Sequence, residues 1–348
     1  MSQHTTTTIR VQGPVVHEAT TIPWQPAAVV VEGSGPVPVL DWTRAHLSTV
    51  RALLSDHGAL RLRGTDITAE SFGQTVALIA DAPLLEYVNR STPRSRVHGQ
   101  VFTSTEYRRD QAIHLHSEQS YAATWPAVLG FLCTTSATSG GETPLASTAQ
   151  VLEHLPADLV ARFQAHGVRY DRWYRPGLDV SWADSFQTED RAEVDRLCAE
   201  TGLTTEWHDH GTVLHTIQIA QATHARVGTG RLVWLNQANL FHPAALPGDI
   251  AAAVRQLPTD HLPRNATFGD GTAIPDSDIE TINKTFTNCS WAEPWQRGDV
   301  LLVDNTAVAH GRRPFQGSRE VLVAMAGTAP CRGFRTATAD TARVSGSQ

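Results

Sequence analysis

The chain has 348 residues, 41% hydrophobic and 18% charged, with 28 Lys plus Arg against 35 Asp plus Glu and a formal net charge of −7. That composition excludes a disordered, collagenous or coiled-coil protein. The absence of a basic run excludes a nucleic-acid footprint. The longest apolar runs, Ala27–Val31 and Val321–Ala326, fall far short of the roughly 20 residues that span a bilayer. Met1–Val11 is Thr-rich and lacks the apolar stretch of a secretory leader. Cys133, Cys198, Cys289 and Cys331 form no Cys-x-x-Cys pair. Free thiols in a reducing cytoplasm are therefore expected, in a soluble enzyme with neither membrane nor nucleic-acid partner.

In chain order, residues 1–38 show little periodicity and read as an irregular arm. Trp42–Leu54 has helical spacing at Leu47, Val50, Leu53 and Leu54, and Ala69–Ala80 has it at Phe72, Val76 and Ile79. Between them Gly58–Gly64, alternating at Ala59, Leu60, Arg61, Leu62 and Arg63, fits a strand ending at a glycine. Short strand-like segments follow at Val101–Tyr107, Ala127–Thr134, Val213–Ile219, Arg231–Leu235, Val300–Val303 and Val321–Ala326, punctuated by Gly, Pro, Asn and Asp. Helical patterns at Leu152–Gln164, Glu189–Glu200 and Pro247–Gln256 interrupt this series. A mainly β chain with helices in its long connections predicts a double-sheet jelly roll. One domain is expected over residues 39–332, with a helical or lid insertion at about 150–212 and a frayed tail at 333–348.

The chemistry begins with His116-Ser117-Glu118. On a strand, residues i and i+2 share a face, so this imidazole and carboxylate can bind one metal side by side. A distant histidine would complete two His and one carboxylate, leaving adjacent positions open on Fe(II). With 16 histidines in the chain, a chance His-x-Glu is also expected, and a surface His/Glu pair is the alternative. His114 could pair with His116 instead, and His208-Asp209-His210 resembles a metal pair but lies in a polar, turn-like stretch that reads better as a solvated loop. Further along stand Gly140-Gly141-Glu142-Thr143-Pro144-Leu145, then Trp295-Gln296-Arg297-Gly298-Asp299-Val300-Leu301-Leu302-Val303-Asp304-Asn305. Ala309-His310-Gly311-Arg312-Arg313-Pro314-Phe315 and Gly317-Ser318-Arg319 close the series.

Taken in that order, from His57 to Gly327, these motifs resemble the TauD/TfdA family of Fe(II)- and 2-oxoglutarate-dependent oxygenases. Within it they are most similar to the clavaminate-synthase-like and SyrP-like branch. The resemblance implies a distorted double-stranded β-helix with His116, Glu118 and His310 as iron ligands. It implies Thr143 and Arg319 as the hydroxyl and guanidinium that hold the distal carboxylate of 2-oxoglutarate. It places Gln119, Tyr121 and Asn239 at substrate-facing positions, and makes Tyr87–Arg94 a lip and the aromatic stretch between Tyr170 and Gln187 a lid or a stapled loop. Arg312 and Arg313 divide between the pocket and a structural role.

The implied activity uses Fe(II), 2-oxoglutarate and O₂ to hydroxylate an unactivated C–H bond of an amino acid or amino-acid derivative, free or presented by a carrier protein. Desaturation, epoxidation and cyclisation are alternatives on the same machinery. Glu118 narrows the branch, since taurine dioxygenase has Asp there, and argues against a halogenase, which lacks the carboxylate. Val323 stands where taurine dioxygenases carry a sulfonate-binding arginine, which argues against a sulfonate held in that way. The rival classes are a zinc-dependent hydrolase or isomerase, which needs no carboxylate clamp, and a jelly-roll binding module without catalysis.

Overall fold

The computed structural model describes residues 8–12, 24–32, 37–86, 94–104, 107–176, 181–246, 250–251, 254, 256–258 and 262–330. Eight strands form the main sheet, in the order Thr8–Gln12, Ala27–Glu32, Ala59–Arg63, Val300–Asp304, Thr124–Thr135, Glu320–Pro330, Val101–Thr103, Arg96–His98. A four-stranded minor sheet runs Ser290–Trp291, Leu145–Ser147, Val308–Arg312, Ile113–His116. Together they make the double-stranded β-helix. A flanking four-stranded sheet, in the order Thr204–His208, Val213–Ala220, Val168–Tyr174, Arg264–Phe268, stands beside it.

The unbroken apolar run of Val321–Ala326 follows from burial on both faces of the strand. Leu322, Ala324 and Ala326 join Val50, Leu54, Phe72 and Val76 beneath the helices Leu47–His57 and Ala69–Ala80. Val321, Val323 and Met325 point the other way, into the space between the sheets, with Phe131, Leu145 and Val308. A catalytic cavity in a jelly roll needs such an inner face, and here it is lined from two sides.

The expected irregular arm at residues 1–38 is corrected. Ala27–Glu32 pairs parallel with Ala59–Arg63, and Thr8–Gln12 pairs with it antiparallel. Ala27, Val29 and Val31 are buried in the helix-covered core. The helix expected at Trp42–Leu54 is two, Val39–Ala45 and Leu47–His57, broken at His46. Leu152–Gln164 likewise divides into Thr148–His154 and Ala157–His166, because Pro156 cannot continue the first helix. The 150–212 region contains helices and also strands of the flanking sheet. Tyr170 and Tyr174 are buried strand residues, and Trp182 meets Trp207 edge-on, so the aromatic stretch is stapled down where it is described. Residues 87–93, 177–180 and 331–348 and most of 247–256 lie outside the described residues, and with them most of the lip, the 333–348 tail and the Pro247–Gln256 helix. No helix among the described residues is long and apolar enough to cross a membrane.

Candidate active site

The two histidines meet because their strands are neighbours. His310 on Val308–Arg312 lies opposite His116 on Ile113–His116, and their rings stand 4.6 Å apart. Beyond that pair the register slips: Arg312 faces Ile113, so the three residues 310–312 on one strand span the four residues 113–116 on the other. Gly311 sits in this irregularity, where a Cβ would come 2.6 Å from the Ile113 carbonyl oxygen. Glycine is thus required for the strands to approach so closely. Glu118 follows in the turn after the strand, with Oε2 3.7 Å from His310 Nε2. Among the described residues, candidate ligand atoms of His116, Glu118 and His310 all lie within 4.8 Å of one another, and all three residues are buried.

The donor set suits a divalent transition ion. His116 Nδ1 is 2.8 Å from the His114 carbonyl oxygen, which fixes the proton on Nδ1 and leaves Nε2 its lone pair. Burial, with His310 alongside, lowers the His116 pKa to about 4, keeping the imidazole neutral. Burial alone would raise the Glu118 carboxyl, but Arg94 and the two imidazoles outweigh it and hold it well below the ordinary carboxylate range. Two imidazoles and one ionised carboxylate on one side of a cavity match the facial triad of non-haem iron sites. His114 is directed elsewhere, with Nε2 3.3 Å from the Ala245 carbonyl oxygen.

Two residues without an expected role support Glu118. Asn305, fully buried, accepts from the Glu118 N–H at 2.7 Å and donates Nδ2 to the carbonyls of Glu118 and Pro126, each at 2.9 Å. Arg94 donates through Nη2 to Glu118 Oε2 at 3.0 Å. Asn305 closes the motif that begins at Trp295, and Arg94 ends the lip segment, but neither pattern points to a contact with Glu118.

The cavity lies between the two sheets, occupying about 440 Å³ with its open mouth. Phe131, Val321 and Val323 supply its wall from the main sheet, and His116, His310 and Arg312 from the minor sheet, while Arg94, Thr143 and Arg319 also reach it. Phe131 packs against the His310 ring at 5.1 Å. Arg319 is half-buried and donates Nε to the Gly141 carbonyl at 2.8 Å. Desolvation pushes its guanidinium down to about 10, as for a cation that wants an anion. Gly141, in left-handed backbone at φ 73°, admits it, since a Cβ there would lie 2.9 Å from Arg319 Cδ. Trp295 Nε1 donates to Thr143 Oγ1 at 3.2 Å, leaving the hydroxyl proton for another acceptor. Thr143 and Arg319 thus share the cavity with both histidines.

The expected substrate-facing residues fare differently. Gln119 adopts left-handed backbone, φ 54°, beside Glu118, a conformation that concentrates at functional sites. Tyr121 is buried in the core, edge-on to Tyr170 and tilted against Phe241. Asn239 is fully buried and donates to the Leu115 carbonyl and Asn283 Oδ1 at 3.1 and 2.9 Å. Asn239 therefore braces the strand Ile113–His116 from behind, and neither Tyr121 nor Asn239 is among the residues lining the cavity. Arg312 resolves the arginine pair: it lines the cavity and donates to the carbonyls of Tyr107, Arg108 and Gln111, whereas Arg313 is exposed.

The model of the taurine catabolism dioxygenase TauD, TfdA family matches residues 24–325. The chain belongs to this family. It is an iron- and 2-oxoglutarate-dependent dioxygenase. It is similar to the dapdiamide synthesis protein DdaC of Enterobacter agglomerans, 38% identical over 275 residues, 78% of this chain and 83% of that protein. A clavaminate synthase-like protein of Arabidopsis thaliana is 32% identical over 288 residues, 79% of this chain and 83% of its own. Among solved structures, PvcB of Pseudomonas aeruginosa, an iron- and alpha-ketoglutarate-dependent oxygenase from an isonitrile synthetic pathway, shares the fold with a TM-score of 0.52 at 14% identity. That match covers 91% of each chain.

Proposed function

We propose that this oxygenase hydroxylates an unactivated C–H bond of an amino acid or amino-acid derivative bearing a free carboxylate, in natural-product biosynthesis. His116, Glu118 and His310 hold the iron, and Thr143 and Arg319 hold the distal carboxylate of 2-oxoglutarate. When bound, ferrous iron with 2-oxoglutarate and O₂ supplies the oxidising power, 2-oxoglutarate leaving as succinate and CO₂. The protein's part is placement and exclusion of water. Arg319 offers a guanidinium fork and Thr143 a hydroxyl to one carboxylate. Asn305 fixes the backbone of Glu118. Phe131, Val321 and Val323 keep one wall apolar, with no thiol or hydroxyl among them.

The observation that carries the substrate class is the charge of the cavity. Arg94, Arg312 and Arg319 line it, against the single carboxylate of the Glu118 cluster. A ferrous ion and a 2-oxoglutarate dianion cancel in charge, so the cavity stays cationic and favours an anionic substrate. Val323 is apolar, so the cation that meets the substrate comes from Arg94 on another element. A carrier-tethered thioester has lost its carboxylate and profits less from this wall. Relatives named for dapdiamide synthesis and for an isonitrile pathway agree with an amino-acid-derived substrate.

The test is anaerobic addition of Fe(II) and 2-oxoglutarate to the metal-stripped protein, which should give the weak visible band of the chelate in the wild type and none in His310→Ala. Free amino acids, N-acyl amino acids and carrier-bound thioesters are then screened for a mass gain of one oxygen matched by succinate. Turnover undiminished without 2-oxoglutarate would overturn the assignment of the cosubstrate site. Oxidation confined to thioesters would overturn the free carboxylate.

A further inference from the structure

The outer face of the flanking sheet carries a second cluster, none of whose members lines the cavity. Glu206 and His208 stand two apart on Thr204–His208 and project to one side. Glu206 pairs across to His215 on Val213–Ala220, and His215 pairs onward to Trp173 on Val168–Tyr174. The Trp173 indole stacks on the His215 ring at 4.0 Å and 7°, and the His208 ring tilts against the same indole at 5.0 Å. His215 Nδ1 lies 3.0 Å from Glu206 Oε2, and its Nε2 lies 2.9 Å from Asp171 Oδ1. Asp171 is itself gripped by Arg169 through two hydrogen bonds. His208 Nε2 is 3.8 Å from Glu206 Oε2, shielded from solvent and without a hydrogen-bond partner among the described residues.

We propose that Glu206, His208 and His215 form a second metal site, for Zn(II) or a similar divalent transition ion. Their ligand atoms all lie within 4.8 Å of one another. Tetrahedral zinc with bonds near 2.0–2.1 Å separates its ligand atoms by roughly 3.3 Å. The separations of 3.0 and 3.8 Å bracket that value. Asp171 accepts from His215 Nε2–H, which turns the Nδ1 lone pair toward Glu206. A carboxylate behind a ligating imidazole is the arrangement that orients such ligands and raises their basicity. Two nitrogens and one carboxylate favour zinc over calcium or magnesium, which take oxygen donors. Thr204–His208 is the edge strand of its sheet, so the ion ties that edge to its neighbour, and water takes the fourth position.

The experiment titrates tag-free, metal-stripped, full-length protein with Zn(II) against a chromophoric chelator. In the variant His116→Ala/His310→Ala, whose cavity site is disabled, one equivalent is expected to remain. Adding His208→Ala should weaken it at least tenfold. Adding Asp171→Asn should weaken it about 10- to 100-fold. His210→Ala, next to the cluster but outside it, should leave it unchanged. Should the cavity variant fail to fold, His208→Ala in the wild-type background decides the matter equally by removing one of two equivalents, since His208 is a surface residue. No remaining equivalent without the cavity site, or one indifferent to His208→Ala, would overturn the proposal.

Discussion

Arg94 and Glu118 form a buried ion pair at the edge of the metal-ligand cluster, Nη2 to Oε2 at 3.0 Å, with 6% and 7% of their side chains exposed. Arg94 comes from the segment preceding Arg96–His98, 24 residues before its partner. Arg94 lies outside any strand, and this ion pair ties it to the cavity.

Removing one member of a buried pair leaves the other charged and uncompensated, at a cost of about 3–5 kcal/mol. Arg94→Gln should therefore destabilise the metal-free protein by about that amount in urea denaturation. A bound divalent ion gives Glu118 a new counter-charge, so saturating Mn(II) should recover much of the loss. Equal destabilisation with and without Mn(II) would show that Arg94 acts away from Glu118.

Asn305 acts by satisfying backbone groups. Asn305→Ala strands the Glu118 N–H and two carbonyls in a buried site, each costing about 1–3 kcal/mol if no water enters. Because Glu118 is then less firmly aimed, Mn(II) affinity should also fall by about 10- to 100-fold. Calorimetric titration and denaturation on the same variant separate the two effects. A stability loss with unchanged metal affinity would reduce Asn305 to a packing residue.

Much of this site was legible because its parts are local signals. His116 and Glu118 share a tripeptide, His310 and Arg319 sit in short motifs, and Val321–Ala326 announces a strand buried on both faces. What escaped depended on distance or on mixed patterns. Asn305 and Arg94 reach Glu118 across 187 and 24 residues. The strand Val168–Tyr174 puts Arg172 on its buried face, its guanidinium 4.5 Å from the Tyr174 ring, and this breaks the apolar alternation that marks a strand. The helix Asp276–Asn288 buries Ile279, Ile282 and Phe286. Its Thr and Asn residues are weak helix formers, and packing outweighs propensity there. Tyr121 and Asn239 show the limit of such signals, because closeness to the strand Ile113–His116 in sequence does not say which side of it a side chain occupies.

Arg319→Lys tests the carboxylate clamp. Lysine keeps the charge but replaces a planar fork by a single point donor. Hydrogen bonds to charged groups are worth about 1.5–3 kcal/mol. The KM for 2-oxoglutarate should therefore rise by about 10- to 100-fold, with Mn(II) affinity unchanged. A fall in metal affinity with unaltered KM would place Arg319 in the metal site and not in the clamp.

Cys133, Cys198 and Cys289 are free and buried. Burial pushes the Cys133 thiol up to about 11 and the Cys198 thiol up to about 12, and it raises Cys289 as well. The reactive species is the thiolate. A raised pKa keeps each thiol protonated until the pH approaches that value, so reactivity is low near neutrality and grows only in strong alkali. In a Cys331→Ser variant, an aromatic disulfide reagent at pH 8 should find no fast-reacting thiol in the native protein and three after guanidinium denaturation. Cys133 neighbours Arg319 electrostatically, and the guanidinium favours its thiolate. As the pH is raised, Cys133 should react before Cys198, a reaction absent in Cys133→Ser and slowed in the parent by 2-oxoglutarate engaging Arg319. A native thiol reacting rapidly at pH 8 from Cys198 or Cys289 instead would contradict their burial.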